Sequence, residues 1–126
     1  MKLLLDSSIL ILSAKGSPPA GATSLIEDRA HQLYFSVAAL WEITIKYGSG
    51  KLKLPVTPWE LQAGLLESGY LNLNITAPHV NQLPALREIH RDPFDRIMVA
   101  QAIVEGMLLV TTDATLSGYG DMVKQV

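Results

Sequence analysis

The chain has 126 residues, of which 48% are hydrophobic and 17% charged, and its formal net charge is −2. That length suits one compact domain over residues 1–126, with enough apolar material for a core and some left for a protein interface. The charge exerts no global pull towards nucleic acid, the few aromatics make base stacking a minor part of any such binding, and the absence of cysteine excludes disulfides and thiolate zinc sites. The opening MKLLLDSSILILSA has the outline of a weak signal peptide, but Asp6 interrupts its apolar centre. No uninterrupted apolar stretch is long enough to span a bilayer, so a cytoplasmic protein is expected.

In chain order, residues 2–5 read as a short buried strand ending at Asp6. Ser7 and Ser8 are placed to cap a helix carrying Ile9, Leu10 and Leu12. Gly16 to Pro19 form a turn, and a helix is predicted from there to about His31, with Leu25 and Ile26 inward. Leu33 to Phe35 make a second strand, and Ser36 can N-cap a helix from Val37 to about Tyr47. Lys51 to Pro55 are an extended loop. Thr57 and Pro58 open a helix through Glu67, stopped by Gly69. Leu71 to Ile75 alternate with asparagines like an edge strand, and a helix runs from Ala77 to Leu83. Arg87 to Asp92 are polar, and Pro93 opens a helix to about Gly106. Met107 to Val110 form a buried strand, TTDATLSGYG is loop-like, and Met122 to Val126 are a last strand. Strands alternating with helices imply βαβ units and a largely parallel sheet. Sites in such folds lie outside the carboxyl ends of the strands.

Four apolar runs each meet a carboxylate: Asp6 after LLL, Glu42 in AALWEI, Asp95 in DPFDRIMVAQA and Asp113 after LLVTT. Asp6 and Asp113 fall at predicted strand ends, and Glu42 and Asp95 on flanking helices. Clustered carboxylates need a counter-charge to stay ionised together. Hard divalent cations with oxygen ligands supply it, so the pattern points to Mg²⁺ or Mn²⁺. Each acid also has a plain structural reading: a helix cap for Asp6, an ion pair with Lys46 one turn on for Glu42, a place near a helix dipole for Asp95, a turn for Asp113. Asp92 fits an N-cap and Asp121 a turn.

Nearly the whole chain resembles a PIN-domain protein, specifically a VapC-type toxin of a type II toxin–antitoxin pair. The resemblance is carried by KLLLDSSIL, by FSVAALWEITIKYGSGKLKL, and most specifically by HRDPFDRIMVAQA followed by MLLVTTD. It implies a three-layer α/β/α sandwich with a mostly parallel central sheet. It also implies a metal-dependent endoribonuclease that hydrolyses RNA phosphodiesters by metal-activated water, leaving a 3′-hydroxyl and a 5′-phosphate. Carried over by position, the catalytic and metal-holding acids are Asp6, Glu42, Asp95 and Asp113. Asp92 is an outer member, and Ser7 and Thr111 are the hydroxyls that support the first and last Asp. The resemblance further implies a small antitoxin that blocks the cleft, often with a basic side chain, and a homodimer.

Lys46, Arg91 and Arg96, with Lys51 and Lys53 behind them, are candidates for RNA phosphate contacts. Trp59, Leu61, Leu65 and Leu66 suit either core or interface, with core favoured. Two rival functions stay open at this point. An aspartyl phosphotransferase also puts an Asp after its first strand, though Ser8 stands where its second Asp belongs. A non-catalytic binding scaffold is the other. GSGK at Gly48 to Lys51 lacks the earlier Gly and the Ser/Thr of a nucleotide loop. His31, His79 and His90 have no metal-ligand spacing and are expected at the surface.

Overall fold

A computed structural model describes residues 1–126. Five parallel strands form one sheet in the order β3-β2-β1-β4-β5. They are β1 (Lys2–Leu5), β2 (Gln32–Ser36), β3 (Leu71–Leu73), β4 (Leu108–Thr111) and β5 (Val123–Gln125). Leu3, Leu4 and Leu5 are all buried. Successive strand side chains point to opposite faces, so both faces of the sheet are covered, as in the sandwich expected from sequence. The apolar runs of β1 and β4 are continuous rather than alternating for this reason. They lie side by side in register, Leu5 opposite Val110, and Leu71–Leu73 is an edge strand.

The covering helices are α1 (Ser7–Ala14), α2 (Ala20–Glu27), α3 (Val37–Gly48), α4 (Pro58–Glu67), α5 (Ala77–Gln82) and α6 (Pro93–Glu105). Side chains satisfy the free N–H groups at several of their starts. Ser36 Oγ accepts from Ala38 N at 3.0 Å. Thr57 and Glu60 form a reciprocal capping box. Asp92 accepts from Phe94 N at 2.8 Å ahead of Pro93. At the other end of α6 the chain turns through a left-handed residue, Gly106, with φ 66°. No helix is long and apolar enough to cross a membrane.

Four details differ from the sequence reading. The cap of α1 is Asp6, accepting from Ser7 N at 2.8 Å, which bears out the capping reading of Asp6 and not that of Ser7 or Ser8. Helix α2 stops at Glu27 instead of near His31 because Asp28 folds its carboxylate back onto Ala30 N at 2.9 Å, an Asx-type turn. Residues Ala114–Tyr119, read as loop, form a 3₁₀ segment. Among the apolar residues of α4, Leu61 is core, while Trp59 and Leu66 are exposed.

Chain direction across the sheet reverses at β1. From it the chain passes outward to β2 and β3, then crosses back over β2 and β1 to β4 on the other side. Crevices open at such a switch point beyond the carboxyl strand ends. Asp6 stands there, its N–H bonded to Val110 O at 2.9 Å.

Candidate metal centre

At this edge lies a cleft of about 330 Å³ lined by Asp6, Ser7, Ser8, Ile11, Glu42, Lys46, His90, Asp92, Asp95 and Asp113. Its carboxylates come from the end of β1 (Asp6), the middle of α3 (Glu42), the first turn of α6 (Asp95), the α6 cap (Asp92) and the turn after β4 (Asp113).

Asp6 is 3% exposed. Its Oδ2 accepts from Thr111 Oγ1 at 2.6 Å and Ser8 Oγ at 3.2 Å, and its Oδ1 accepts from Ser7 N. Burial still pushes its carboxyl above the ordinary carboxylate range, against those donors and with a smaller contribution from the charge of Glu42. Glu42 is 5% exposed. Its Oε1 accepts from Ser7 Oγ at 2.7 Å and its Oε2 from Lys46 Nζ at 2.6 Å. The Ser7 hydroxyl, 3.4 Å from Asp6 Oδ1, therefore bridges the first two acids. Lys46 is held charged above its usual range, chiefly by its bond to Glu42. The plain reading of Glu42 as half of an ion pair is thus present in the structure, and its other oxygen serves the cleft.

Asp95 is the most strained member. Burial first, then the charges of Asp6, Asp92 and Glu42, raise its carboxyl to about 7, with His90 opposing. Asp113 accepts from Thr115 N through Oδ1 at 2.9 Å, which caps the 3₁₀ segment, and turns Oδ2 to His90. Thr111 joins both strand ends, since the oxygen that donates to Asp6 accepts from Asp113 N at 3.0 Å.

The cleft so gathers Asp6, Glu42, Asp95 and Asp113, with Asp92 at its wall and Ser7 lining it, while Thr111 reaches it from the core. Its donor set is almost entirely carboxylate oxygen. Five carboxylates face one Lys and one His, and that excess negative charge fits a hard divalent cation.

Three residues depart from their expected places. His90 is not a surface residue: it lies in the cleft, its Nε2 3.0 Å from Asp113 Oδ2 and 3.3 Å from Asp95 Oδ2. His79 is fully buried, accepting from Thr76 N at 3.0 Å and meeting Glu105 at 2.8 Å, where it ties α5 to α6. Arg96 is not free for a phosphate either. Its guanidinium is spent on the carbonyls of Leu83, Arg87 and His90 and on Tyr119 Oη. Arg91 is exposed and lies in sequence between two cleft residues, His90 and Asp92, and Lys51 and Lys53 are exposed on their loop.

A second, apolar cleft of about 270 Å³ is lined by Trp41, Ile75, Val80, Leu83, Pro93, Phe94 and Ile97. Trp41 is 58% exposed and stacks edge-on against Phe94 at 5.0 Å. Each ring adjoins in sequence an acid of the first cleft.

The fold and cleft define an α/β protein with an acidic site at the switch point of a parallel sheet. The chain belongs to the PIN domain family, whose model matches residues 3–121. No curated protein matches the sequence. Similar solved structures include VapBC2 from Rickettsia felis bound to a DNA fragment from its promoter. That chain is 18% identical, with a TM-score of 0.72 over 99% of this chain and 98% of the other. DNA-bound VapBC from Salmonella typhimurium is 19% identical, with a TM-score of 0.69 over 99% and 98%. A toxin–antitoxin complex from Klebsiella pneumoniae is 19% identical, with a TM-score of 0.68 over 98% and 99%.

Proposed function

We propose that this chain, one PIN domain over residues 1–126, is a metal-dependent endoribonuclease and the toxin of a toxin–antitoxin pair. The observation that carries this reading is the convergence of Asp6, Glu42, Asp95 and Asp113 from four separate elements on one cleft. In this reading those four hold one or two Mg²⁺ or Mn²⁺ ions. When bound, a divalent cation makes water nucleophilic near neutral pH and offsets the charge that builds on a phosphodiester under attack.

The chain's own groups do the rest. Thr111 and Ser7 fix the carboxylates of Asp6 and Glu42, so that each keeps its orientation when the cation enters. Asp95 must give up any proton it holds before it can serve as a ligand. Lys46 and Arg91 offer positive charge for the RNA backbone at the cleft's rim. Arg96 braces the wall behind them.

The partners follow from the same features. Two of the three structural neighbours described above are VapBC assemblies and the third is a toxin–antitoxin complex, which supports a cognate antitoxin here. The exposed apolar cleft around Trp41 and Phe94 offers such a protein a surface next to the acids. Homodimerisation and a cytoplasmic location belong to the same reading. The phosphotransferase alternative fares worse, because Ser8 stands where its second Asp belongs and donates to Asp6 Oδ2.

The test is incubation of mixed cellular RNA with purified wild type and Asp6→Asn in Mg²⁺, Mn²⁺ or EDTA. Cutting by the wild type alone, and only with the metals, supports the reading. Cutting that survives the substitution or EDTA overturns it.

A further inference from the structure

His90 carries none of the roles assigned so far, yet both its backbone and its ring are held in place. Its backbone N donates to Tyr119 Oη at 3.0 Å, and its backbone O accepts from Arg96 at 3.3 Å. Its ring is fixed at both nitrogens. Nδ1 accepts from Asp92 N at 3.0 Å, while Nε2 faces Asp113 Oδ2 at 3.0 Å and Asp95 Oδ2 at 3.3 Å.

The Asp92 contact decides the tautomer. A backbone N–H can only donate, so Nδ1 must present a lone pair and the ring proton sits on Nε2. Nε2–H then donates to Asp113 Oδ2, and Asp95 Oδ2 lies beside it at 3.3 Å as an electrostatic contact.

The three side chains lie close enough to be taken for a metal triad, with ligand atoms within 4.8 Å of one another. The tautomer argues against that for the nitrogen. To ligate a cation, Nε2 must offer a lone pair, the proton must move to Nδ1, and Nδ1–H would then point at the Asp92 N–H. One donor would face another, and the turn that caps α6 would have to open.

We propose that His90 is a positioning residue that clamps Asp95 and Asp113 through Nε2–H, with its tautomer set by the Asp92 backbone. The clamp rests on the reading of the cleft as a divalent-cation site. Its physical content is specific. Asp95 begins a helix and Asp113 follows a strand on another element, and nothing else bonds the two together. A donor between them draws both carboxylates to one spacing before the cation arrives, which lowers the ordering cost of binding. Its anchors explain the polar run from Arg87 to Asp92: Arg96, Tyr119 and the Asp92 N–H hold one imidazole in one orientation.

The experiment labels histidine with ¹⁵N, reads the His90 ring by NMR without metal, then titrates Mn²⁺ into wild type, His90→Ala and His90→Gln. Gln restores a side-chain N–H donor in place of Nε2–H. The expected result is a wild-type ring with a bare Nδ1 and a protonated Nε2. Mn²⁺ affinity should fall about 10–100-fold in His90→Ala, as for other groups that orient metal ligands, and recover in large part in His90→Gln. Electron spin echo spectra of the bound Mn²⁺ should show no directly coordinated nitrogen.

A ring protonated on Nδ1, nitrogen coupled directly to the ion, or wild-type affinity in His90→Ala would each overturn the clamp while leaving the metal site standing. Failure of wild type to bind Mn²⁺ at all would remove the site reading, and the clamp with it. The NMR arm needs no variant, so a His90→Ala chain that fails to fold leaves the tautomer test decisive.

Discussion

Replacing Asp95 with Asn should make the protein more stable and at the same time inactive. The folded chain holds this carboxyl at about 7 against an ordinary 3.8. A gap of about 3 pH units at 1.36 kcal/mol each sets the cost of the ionised form near 4 kcal/mol. Solvent enters from the cleft and screens part of it, so about 2 kcal/mol is a better figure. A carboxylate in the first turn of α6 also gains roughly 0.3–1 kcal/mol from the helix dipole, which Asn forfeits. The net expectation is about 1–2 kcal/mol of added stability above pH 7 without metal, or roughly 3–8 °C in melting temperature.

The pH dependence follows from the sign of the shift. As pH rises from about 4 to 7, the unfolded chain loses this proton while the folded chain keeps it, so wild-type stability falls across that window and then levels off. The gain from Asp95→Asn should be near zero at about pH 4 and full at pH 8. Saturating Mg²⁺ should reverse the ranking, because the cation neutralises the wild-type cleft. Urea denaturation at the two pH values, with and without Mg²⁺, measures this. A variant less stable than wild type at pH 8 without metal, or a gain independent of pH, would refute the claim that burial, with the neighbouring carboxylates, disfavours the ionised form of Asp95 in this cleft.

The remaining predictions use the same cleft. Asp6→Asn should lose cleavage by at least the roughly 10–100-fold that supporting groups of a metal site carry, with its melting curve still cooperative, as RNA assays and calorimetry would show. Thr111→Val removes a donor to Asp6 and an acceptor for Asp113 N, and should cost about 1–3 kcal/mol in denaturant unfolding, with Thr111→Ser recovering most of it. Lys46→Met leaves Glu42 buried without its partner; the loss, again about 1–3 kcal/mol, should vanish once divalent cation is added. Arg91→Ala should flatten the salt dependence of RNA binding by about one phosphate contact, whereas Arg96→Leu should destabilise the fold and leave that slope unchanged.

What the sequence disclosed and withheld follows from the range of each interaction. Strands and acids were legible because they are local patterns: LLL and LLV followed closely by Asp mark buried parallel strands meeting a polar edge. A reversal of chain direction at β1 then suffices to gather the acids. The caps at Ser36, Thr57 and Asp92 were legible because capping spans three residues. His90 was missed because its meaning lies in a backbone N–H two residues on and carboxylates five and 23 positions away, none with metal-ligand spacing. Its place just before an Asp-Pro helix start was the one available signal. His79 was missed because it takes the capping-box position where Glu or Gln is usual. Arg96 read as a free cation because nothing in a sequence shows that four acceptors from two distant segments converge on it.

One measurement bears most directly on the central claim: a Mn²⁺ titration that follows bound ion by its paramagnetic signal and RNA cleavage in the same samples. The account predicts that cleavage rises in step with occupancy, and that both are lost together in Asp6→Asn. Full cleavage with the cleft empty, or a filled cleft that cuts no RNA in a total cellular pool, would contradict it.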